Sequence, residues 1–263
     1  MPTSGDNMLN FPESPEITIQ RILEHTDFFI VVKRNSRIGA IRGSASGIFV
    51  SYCDKIFFVT CSHCIIENSL YYTGATRGEN QSLNEKVPPL DLIKKNPELD
   101  IAILSYRGDL SKTNSRAYFI DNEKVISLDR TKRNIGNAGY ICGFPEFLSN
   151  IKIKVGDKND SIVAYNKYYS GMGKIIRVDE NMIVCDFAEQ EFLFNYVPEV
   201  SPTGGERDIR GMSGSGLWVY DELTDSPNLL GILLGKNKDS NPQKEHLIEF
   251  TPVWKLVEFL IDC

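Results

Sequence analysis

The chain has 263 residues, of which 41% are apolar, and this length can bury the core of one double β-barrel or of two small domains. Its formal net charge is −6, which argues against a nucleic-acid partner because phosphate binding relies on clustered lysine and arginine. No run of eighteen apolar residues is present, so the sequence predicts no membrane partner.

The N-terminal segment, residues 1–27, is expected to be a polar leader followed by one short helix. A secretory signal would have a basic region followed by an apolar region. The leader has neither, so we expect the chain in the cytoplasm. Residues 17–25 predict the helix, and Pro15 and Glu16 suit its start.

Two series of short segments predict strands, because they are rich in β-branched and aromatic residues and are separated by Gly, Asp and Asn turns. The first series lies in residues 28–120 and predicts a first β-barrel. A polar linker, residues 121–137, precedes the second series in residues 138–250, which predicts a second β-barrel. The predicted strands are 28–32, 47–51, 56–60 and 100–104, then 140–143, 174–178, 182–187, 216–220, 229–234 and 247–250.

The last segment, residues 251–263, changes to a helical period. Val253, Leu256, Val257 and Leu260 fall on one helical face, and Pro252 suits the first helical position. Long loops are expected at residues 74–89, 145–162 and 196–210, where functional variation would lie.

Six cysteines are present, and Cys61 and Cys64 form a C-x-x-C pair. The other four are single, so no second pair completes a zinc site, and no histidine stands at the usual ligand spacing. We therefore expect no metal, and in a reducing compartment no disulfide. Cys61 and Cys64 are expected to be separate thiols.

The segment GMSGSG at residues 211–216 precedes the apolar run LWVY. Glycines on both sides of Ser213 allow a tight turn that brings two N–H groups together and leaves the hydroxyl uncovered. Such a turn suits a nucleophile with an oxyanion hole. A glycine-rich hairpin is the plain alternative, whereas the α/β-hydrolase elbow is disfavoured because Ser215 stands where its second glycine is required.

Two further segments carry candidate catalytic side chains. His63 follows the apolar strand FFVT within the turn CSHC, whereas His25 and His246 have unremarkable helical and loop settings. Asp100 opens the apolar run DIAIL, and a carboxylate that enters a core needs a partner. Taken alone, His63 could be an ordinary core or surface histidine and Asp100 a turn cap.

Together the three segments resemble the chymotrypsin family of serine peptidases. The chain order His63, Asp100, Ser213 differs from that of subtilisins and α/β-hydrolases. TCSHC resembles the family's T-A-A-H-C, LDIAIL its D-I-A-L-L, and GMSGSG its G-D-S-G-G. GYICGFP at residues 139–145 and GSASGIFV at 43–50 are similar to two further strands of the family. The resemblance implies an all-β fold, a chymotrypsin-like double β-barrel with a C-terminal α-helix.

By that resemblance, His63 is the general base and then the general acid, Asp100 orients its ring, and Ser213 is the nucleophile. Gly211 and Ser213 would supply the N–H donors of the oxyanion hole. The sequence departs from secreted members at Met212, where they carry an aspartate, and it lacks an Ile-Val-Gly-Gly segment. The resemblance therefore implies a site that is built from the outset or is ordered by something else.

The specificity pocket is assigned by the same resemblance. Arg207, six residues before the motif serine, takes the pocket floor, and Leu234 and Gly235 are assigned to the pocket with it. An arginine floor would favour an acidic residue before the scissile bond. A one-residue shift would place Glu206 or Asp208 there and reverse the preference. A solvated surface loop is an equally good interpretation of this segment.

These features predict a serine endopeptidase that hydrolyses peptide bonds of protein or peptide substrates through an acyl-enzyme, without a cofactor. A second interpretation is a trypsin-like domain that has lost catalysis and keeps the fold for binding. A third is an active domain that stays latent until a regulatory protein partner orders residues 196–210. The complete set of catalytic residue types favours an enzyme over a binding module.

Overall fold

The structure is a computed structural model of the chain. It describes residues 15–33, 41–73, 89–112, 115–120, 128–145, 149–154, 161–166, 168–187, 211–221, 225–236 and 247–261. None of the helices within these ranges is long and apolar enough to cross a membrane.

The first half of the chain forms a closed barrel of six antiparallel strands in the order β1-β4-β5-β6-β3-β2, and β2 pairs back with β1. A helix precedes the barrel, and a short strand, β7, pairs in parallel with β2. The elements are α1 Pro15–His25, β1 Thr26–Lys33, β2 Ile41–Tyr52, β3 Lys55–Thr60, a 3-10 helix Ser62–Cys64, β4 Ser69–Tyr72, β5 Pro89–Asn96, β6 Ile101–Tyr106, a 3-10 helix Leu110–Lys112 and β7 Tyr118–Phe119.

The second half forms another closed six-stranded barrel, in the order β11-β12-β15-β14-β13-β8. A separate hairpin, β9 with β10, lies outside this barrel. The elements are α2 Leu128–Lys132, β8 Ala138–Gly143, β9 Ser149–Lys154, β10 Ser161–Asn166, β11 Tyr169–Val178, β12 Ile183–Asp186, β13 Gly216–Asp221, β14 Ser226–Lys236, β15 Leu247–Pro252 and α3 Val253–Leu260.

The continuous apolar run of β3 has a structural reason. Phe58 packs inside the first barrel, whereas Phe57 and Val59 point the other way and pack in a second cluster with Tyr140 and Trp218 of the second barrel. β6 divides its side chains between the same two clusters. Strands that are buried on both faces lose the alternation of polar and apolar residues. The candidate histidine and aspartate therefore adjoin strands held between the two barrels.

The expected fold class, two antiparallel β-barrels followed by a C-terminal helix, is confirmed. α3 buries Val253, Leu256, Val257 and Leu260, the face predicted from the sequence. The prediction was incomplete elsewhere. The strands β4 and β5 were not foreseen, because β4 has four residues and β5 exposes two of its apolar side chains. The predicted loop 145–162 contains β9 and the start of β10, and the predicted linker 121–137 contains α2.

Candidate active site

His63 lies in the 3-10 turn that ends β3. The turn is closed by hydrogen bonds from the Cys64 N–H to the Cys61 carbonyl (3.2 Å) and from the Ile65 N–H to the Ser62 carbonyl (3.0 Å). Cys61 is fully buried, whereas the His63 side chain is 51% exposed. The buried start of the turn fixes the backbone, so the imidazole projects from a rigid strand end.

Asp100 lies in the turn between β5 and β6, and both of its carboxylate oxygens are hydrogen bonded. His63 Nδ1 lies 2.7 Å from Oδ2, while the His63 backbone N–H and the Ser62 hydroxyl each donate to Oδ1 at 2.9 Å. The second barrel holds the same turn, because Thr251 Oγ1 donates to the Leu99 carbonyl at 2.6 Å. Asp100 has a φ of +49°, which an aspartate tolerates better than most residues.

These contacts perturb the pKa values of both partners. Burial alone would raise the pKa of Asp100, but the hydrogen bonds from His63 and Ser62 outweigh it and lower that pKa below its ordinary value. The hydrogen bond to Asp100, and after it one to the Cys64 sulfur, raises the pKa of His63 above its ordinary value. An ionised Asp100 is thus suited to orient the ring and to stabilise an imidazolium.

Ser213 lies in the tight turn that leads into β13. Gly211 and Gly214 on either side have φ values of +88° and +91°, which favour glycine. The Ser215 N–H donates to the Met212 carbonyl at 2.9 Å and closes the turn. No acceptor among the described residues takes the N–H of Gly211 or of Ser213. Within the described part of the chain, both groups are therefore available to donate to a ligand, as an oxyanion hole requires.

Ser46 holds this turn from the first barrel, and the sequence did not single it out as a functional residue. Its buried hydroxyl donates to the Gly211 carbonyl at 2.9 Å and accepts from the Phe144 N–H at 2.8 Å. Its backbone N–H donates to the Ser213 carbonyl at 3.1 Å. Only its place in the GSASG segment hinted at a role. Ser62, which binds Asp100, was missed in the same way.

Gly214 brings the Ser213 turn against the strand that carries His63. A Cβ atom on Gly214 would lie 2.5 Å from Thr60 Oγ1 and 3.0 Å from the Thr60 Cα, so only glycine fits. The Gly214 N–H donates at 3.0 Å to the Leu233 carbonyl, and the Cys61 thiol donates to the same oxygen at 2.8 Å. Both barrels therefore meet at one carbonyl beside the candidate nucleophile.

Three possible metal ligands, Cys61, His63 and Asp100, have donor atoms within 4.8 Å of one another. Sequence spacing had suggested no such group. The donors are already engaged, because His63 Nδ1 and Asp100 bind each other and the Cys61 thiol binds the Leu233 carbonyl. Burial also raises the pKa of Cys61 and opposes the thiolate that a metal would need. We assign no metal here.

The structure describes two of the three candidate specificity residues. Arg207, with Glu206 and Asp208, lies outside the described residues, so its place at a pocket floor stays a prediction. Leu234 and Gly235 lie on β14, where the pairing with β15 shifts register between Leu233 and Gly235. The Leu233 N–H donates to the Ser215 carbonyl at 2.7 Å. This segment of β14 thus runs beside the Ser213 turn.

We compared the chain with family models, curated proteins and solved structures. No family model and no curated protein matches the chain. Among solved structures, the chain is similar to a serine endoprotease from Yersinia pestis, with a TM-score of 0.56 and 16% identity over 96% of this chain and 67% of the other. At that identity the likeness concerns the fold, and this chain shares the double-barrel fold of that serine endoprotease.

Proposed function

We propose that the protein is a serine endopeptidase in which His63, Asp100 and Ser213 form the catalytic triad. The observation that carries the proposal is the bond of 2.7 Å between His63 Nδ1 and Asp100, on the turn that follows Thr60, the residue that lies against Gly214 beside Ser213. A histidine held by an ionised carboxylate can activate the hydroxyl of a serine for acyl transfer, and we propose that Ser213, on its glycine turn, is that serine.

In the proposed reaction, Ser213 Oγ attacks the carbonyl carbon of a peptide bond while His63 Nε2 takes the hydroxyl proton. The N–H groups of Gly211 and Ser213 stabilise the oxyanion of the tetrahedral intermediate. His63 then protonates the leaving amine, which departs and leaves an acyl-enzyme. Water, deprotonated by the same histidine, hydrolyses the ester and restores Ser213.

The substrate class is a protein or peptide, and the β14 segment around Leu234 and Gly235 supports this choice. It runs beside the Ser213 turn, where an extended chain can lie against a strand edge. We propose Arg207 as the residue that selects an acidic side chain before the scissile bond. We also propose a cytoplasmic location, which the separate thiols of Cys61 and Cys64 fit.

Active-site labelling tests the nucleophile directly. A fluorophosphonate probe should label the full-length protein on Ser213, and labelling should disappear in Ser213→Ala and in His63→Ala. Ser215→Ala is the matched control, because the Ser215 hydroxyl is buried and has no hydrogen-bond partner among the described residues. It should label like the wild type. Labelling of the wild type at a residue other than Ser213, or labelling that persists in Ser213→Ala, would refute the proposal.

A latent form is the second candidate. The aspartate that orders the nucleophile turn in zymogen-activated relatives is replaced by Met212, which is fully buried here. In this candidate function, a regulatory partner that acts on residues 196–210, which lie outside the described residues, would control activity. Labelling that appears only when a binding protein is added would favour latency, whereas labelling of the isolated chain would favour a constitutively active peptidase.

A further inference from the structure

Cys61 and Cys64 form a pair of dissimilar thiols around His63. Cys61 is fully buried at the end of β3, whereas Cys64 is partly exposed at the end of the 3-10 turn. The Cys61 sulfur and a His63 ring nitrogen lie within 4.8 Å of each other, and the Cys64 sulfur influences the pKa values of both groups. The two thiols are separate in this structure. Neither is needed for the proposed hydrolysis.

The turn geometry permits a disulfide between them. The bond of 3.2 Å from the Cys64 N–H to the Cys61 carbonyl closes a four-residue turn. Such a turn places its first and last Cα atoms within about 7 Å of each other. Disulfides need Cα separations of about 4.4–6.8 Å, so little backbone movement is required.

We propose that Cys64 and Cys61 are an oxidation site for hydroperoxides, with Cys64 as the attacking thiol and Cys61 as the resolving thiol. The environment of the pair suits these roles. The bonds from Cys61 and then His63 outweigh burial and lower the pKa of Cys64, whereas burial raises the pKa of Cys61. Low-pKa, accessible thiols beside a second cysteine are the ones that oxidise selectively.

The chemistry balances in two steps. The Cys64 thiolate attacks the hydroperoxide, so an S–O bond forms and the O–O bond breaks. The departing alkoxide or hydroxide takes the proton held on His63, and Cys64 becomes a sulfenic acid. The Cys61 sulfur then attacks the Cys64 sulfur, the S–S bond forms, and the hydroxide leaves with the Cys61 proton as water. The two sulfurs lose two electrons, and the peroxide is reduced to an alcohol or water.

Oxidation should also act on the candidate active site, a consequence that rests on the proposed function. The disulfide uses the Cys61 sulfur that now donates to the Leu233 carbonyl, the oxygen that also accepts from the Gly214 N–H. The disulfide also joins Cys61 and Cys64 covalently, on either side of Ser62 and His63 in the chain. We expect the oxidised protein to have lower peptidase activity, and thiol reductants to restore it.

Mass spectrometry tests the chemistry without reference to activity. The full-length protein and its Ser213→Ala variant are treated with hydrogen peroxide, denatured, alkylated and mapped by peptide mass. Both should contain a Cys61–Cys64 disulfide, and Cys64 should react with iodoacetamide at neutral pH about tenfold faster than the exposed Cys53. In Cys61→Ser, Cys64 should stop at a sulfenic acid that dimedone traps.

Two results would overturn the inference. Oxidation of Cys53 while Cys61 and Cys64 stay reduced would remove the site. A disulfide that forms fully without lowering the peptidase activity of the wild type would remove its regulatory role. Failure of the proposed function is a separate result, because the disulfide is measured equally well in the Ser213→Ala protein, which lacks the proposed nucleophile.

Discussion

The backbone N–H of Ser46 in the first barrel donates a hydrogen bond of 3.1 Å to the carbonyl of Ser213 in the second. The Ser46 hydroxyl reaches across to the Gly211 carbonyl at the other end of the same turn. The candidate nucleophile is therefore positioned by the barrel that also carries His63 and Asp100. A change at Ser46 should alter the relation between the two halves of the site.

Ser46→Ala tests this coupling. The substitution leaves the Phe144 N–H and the Gly211 carbonyl without their partner, and an unpaired buried polar group costs about 1–3 kcal/mol of unfolding free energy. We expect kcat to fall about tenfold with KM little changed, since the turn and not the substrate is disturbed. Ser44→Ala, on the same strand, is the control. Equal kinetics for the two variants would contradict the positioning role.

Asp100→Asn should reduce kcat by about 10⁴, because an amide cannot hold the imidazole in the required tautomer as a carboxylate does. Ser62→Ala should have a smaller effect, because Oδ1 keeps the His63 backbone N–H as a donor. Steady-state kinetics with a peptide substrate measure both. Asp91→Asn, whose carboxylate pairs with Arg107 on the surface of the first barrel, should leave the rate unchanged. A mild effect of Asp100→Asn would exclude Asp100 from the triad.

The pH profile of kcat/KM reports the protonation of His63. The general base must be neutral, and its hydrogen bonds to Asp100 and Cys64 raise its pKa, so activity is lost as the pH falls through that raised pKa. The acidic limb should thus have its midpoint above the ordinary value of 6.5. Cys64→Ala should move the midpoint to lower pH, whereas Cys53→Ala should not. A midpoint at or below 6.5 in the wild type would argue against His63 as the base.

Gly214→Ala should destabilise the protein and abolish labelling of Ser213. A methyl group at this position would overlap Thr60, and the φ of +91° is already strained for alanine. Gly136→Ala is a matched control, since Gly136 has a φ of +93° and open space around its Cβ position. Gly136→Ala should lose only about 1–2 kcal/mol of unfolding free energy, because alanine is strained at this positive φ. Denaturant unfolding should show a larger loss for Gly214→Ala, and equal losses would mean that the Thr60 contact is unimportant.

Peptide-library profiling tests Arg207. If Arg207 forms the pocket floor, cleavage follows Asp or Glu. Arg207→Ala then lowers kcat/KM for these peptides, and the loss corresponds to a rise of about 2–5 kcal/mol in activation free energy. The exposed Arg133 supplies the control variant Arg133→Ala. Cleavage after Leu, Phe or Lys that is unaltered by Arg207→Ala would remove Arg207 from the specificity site.

The sequence alone determined the fold class, the terminal helix and most barrel strands, because these depend on local periodicity and on strands that bury both faces. It also picked out His63, Asp100 and Ser213 as candidates, since each lies at the end of an apolar strand or in a glycine turn.

The tertiary structure decided what holds these residues together. Ser46 and Gly211 are 165 positions apart in the chain, and Cys61 and Leu233 are 172 apart. No local pattern specifies such contacts, because strand pairing and barrel docking bring them about only after the chain has folded. The bond between His63 and Asp100 has a different origin, since strand pairing within the first barrel brings the end of β3 beside the turn between β5 and β6.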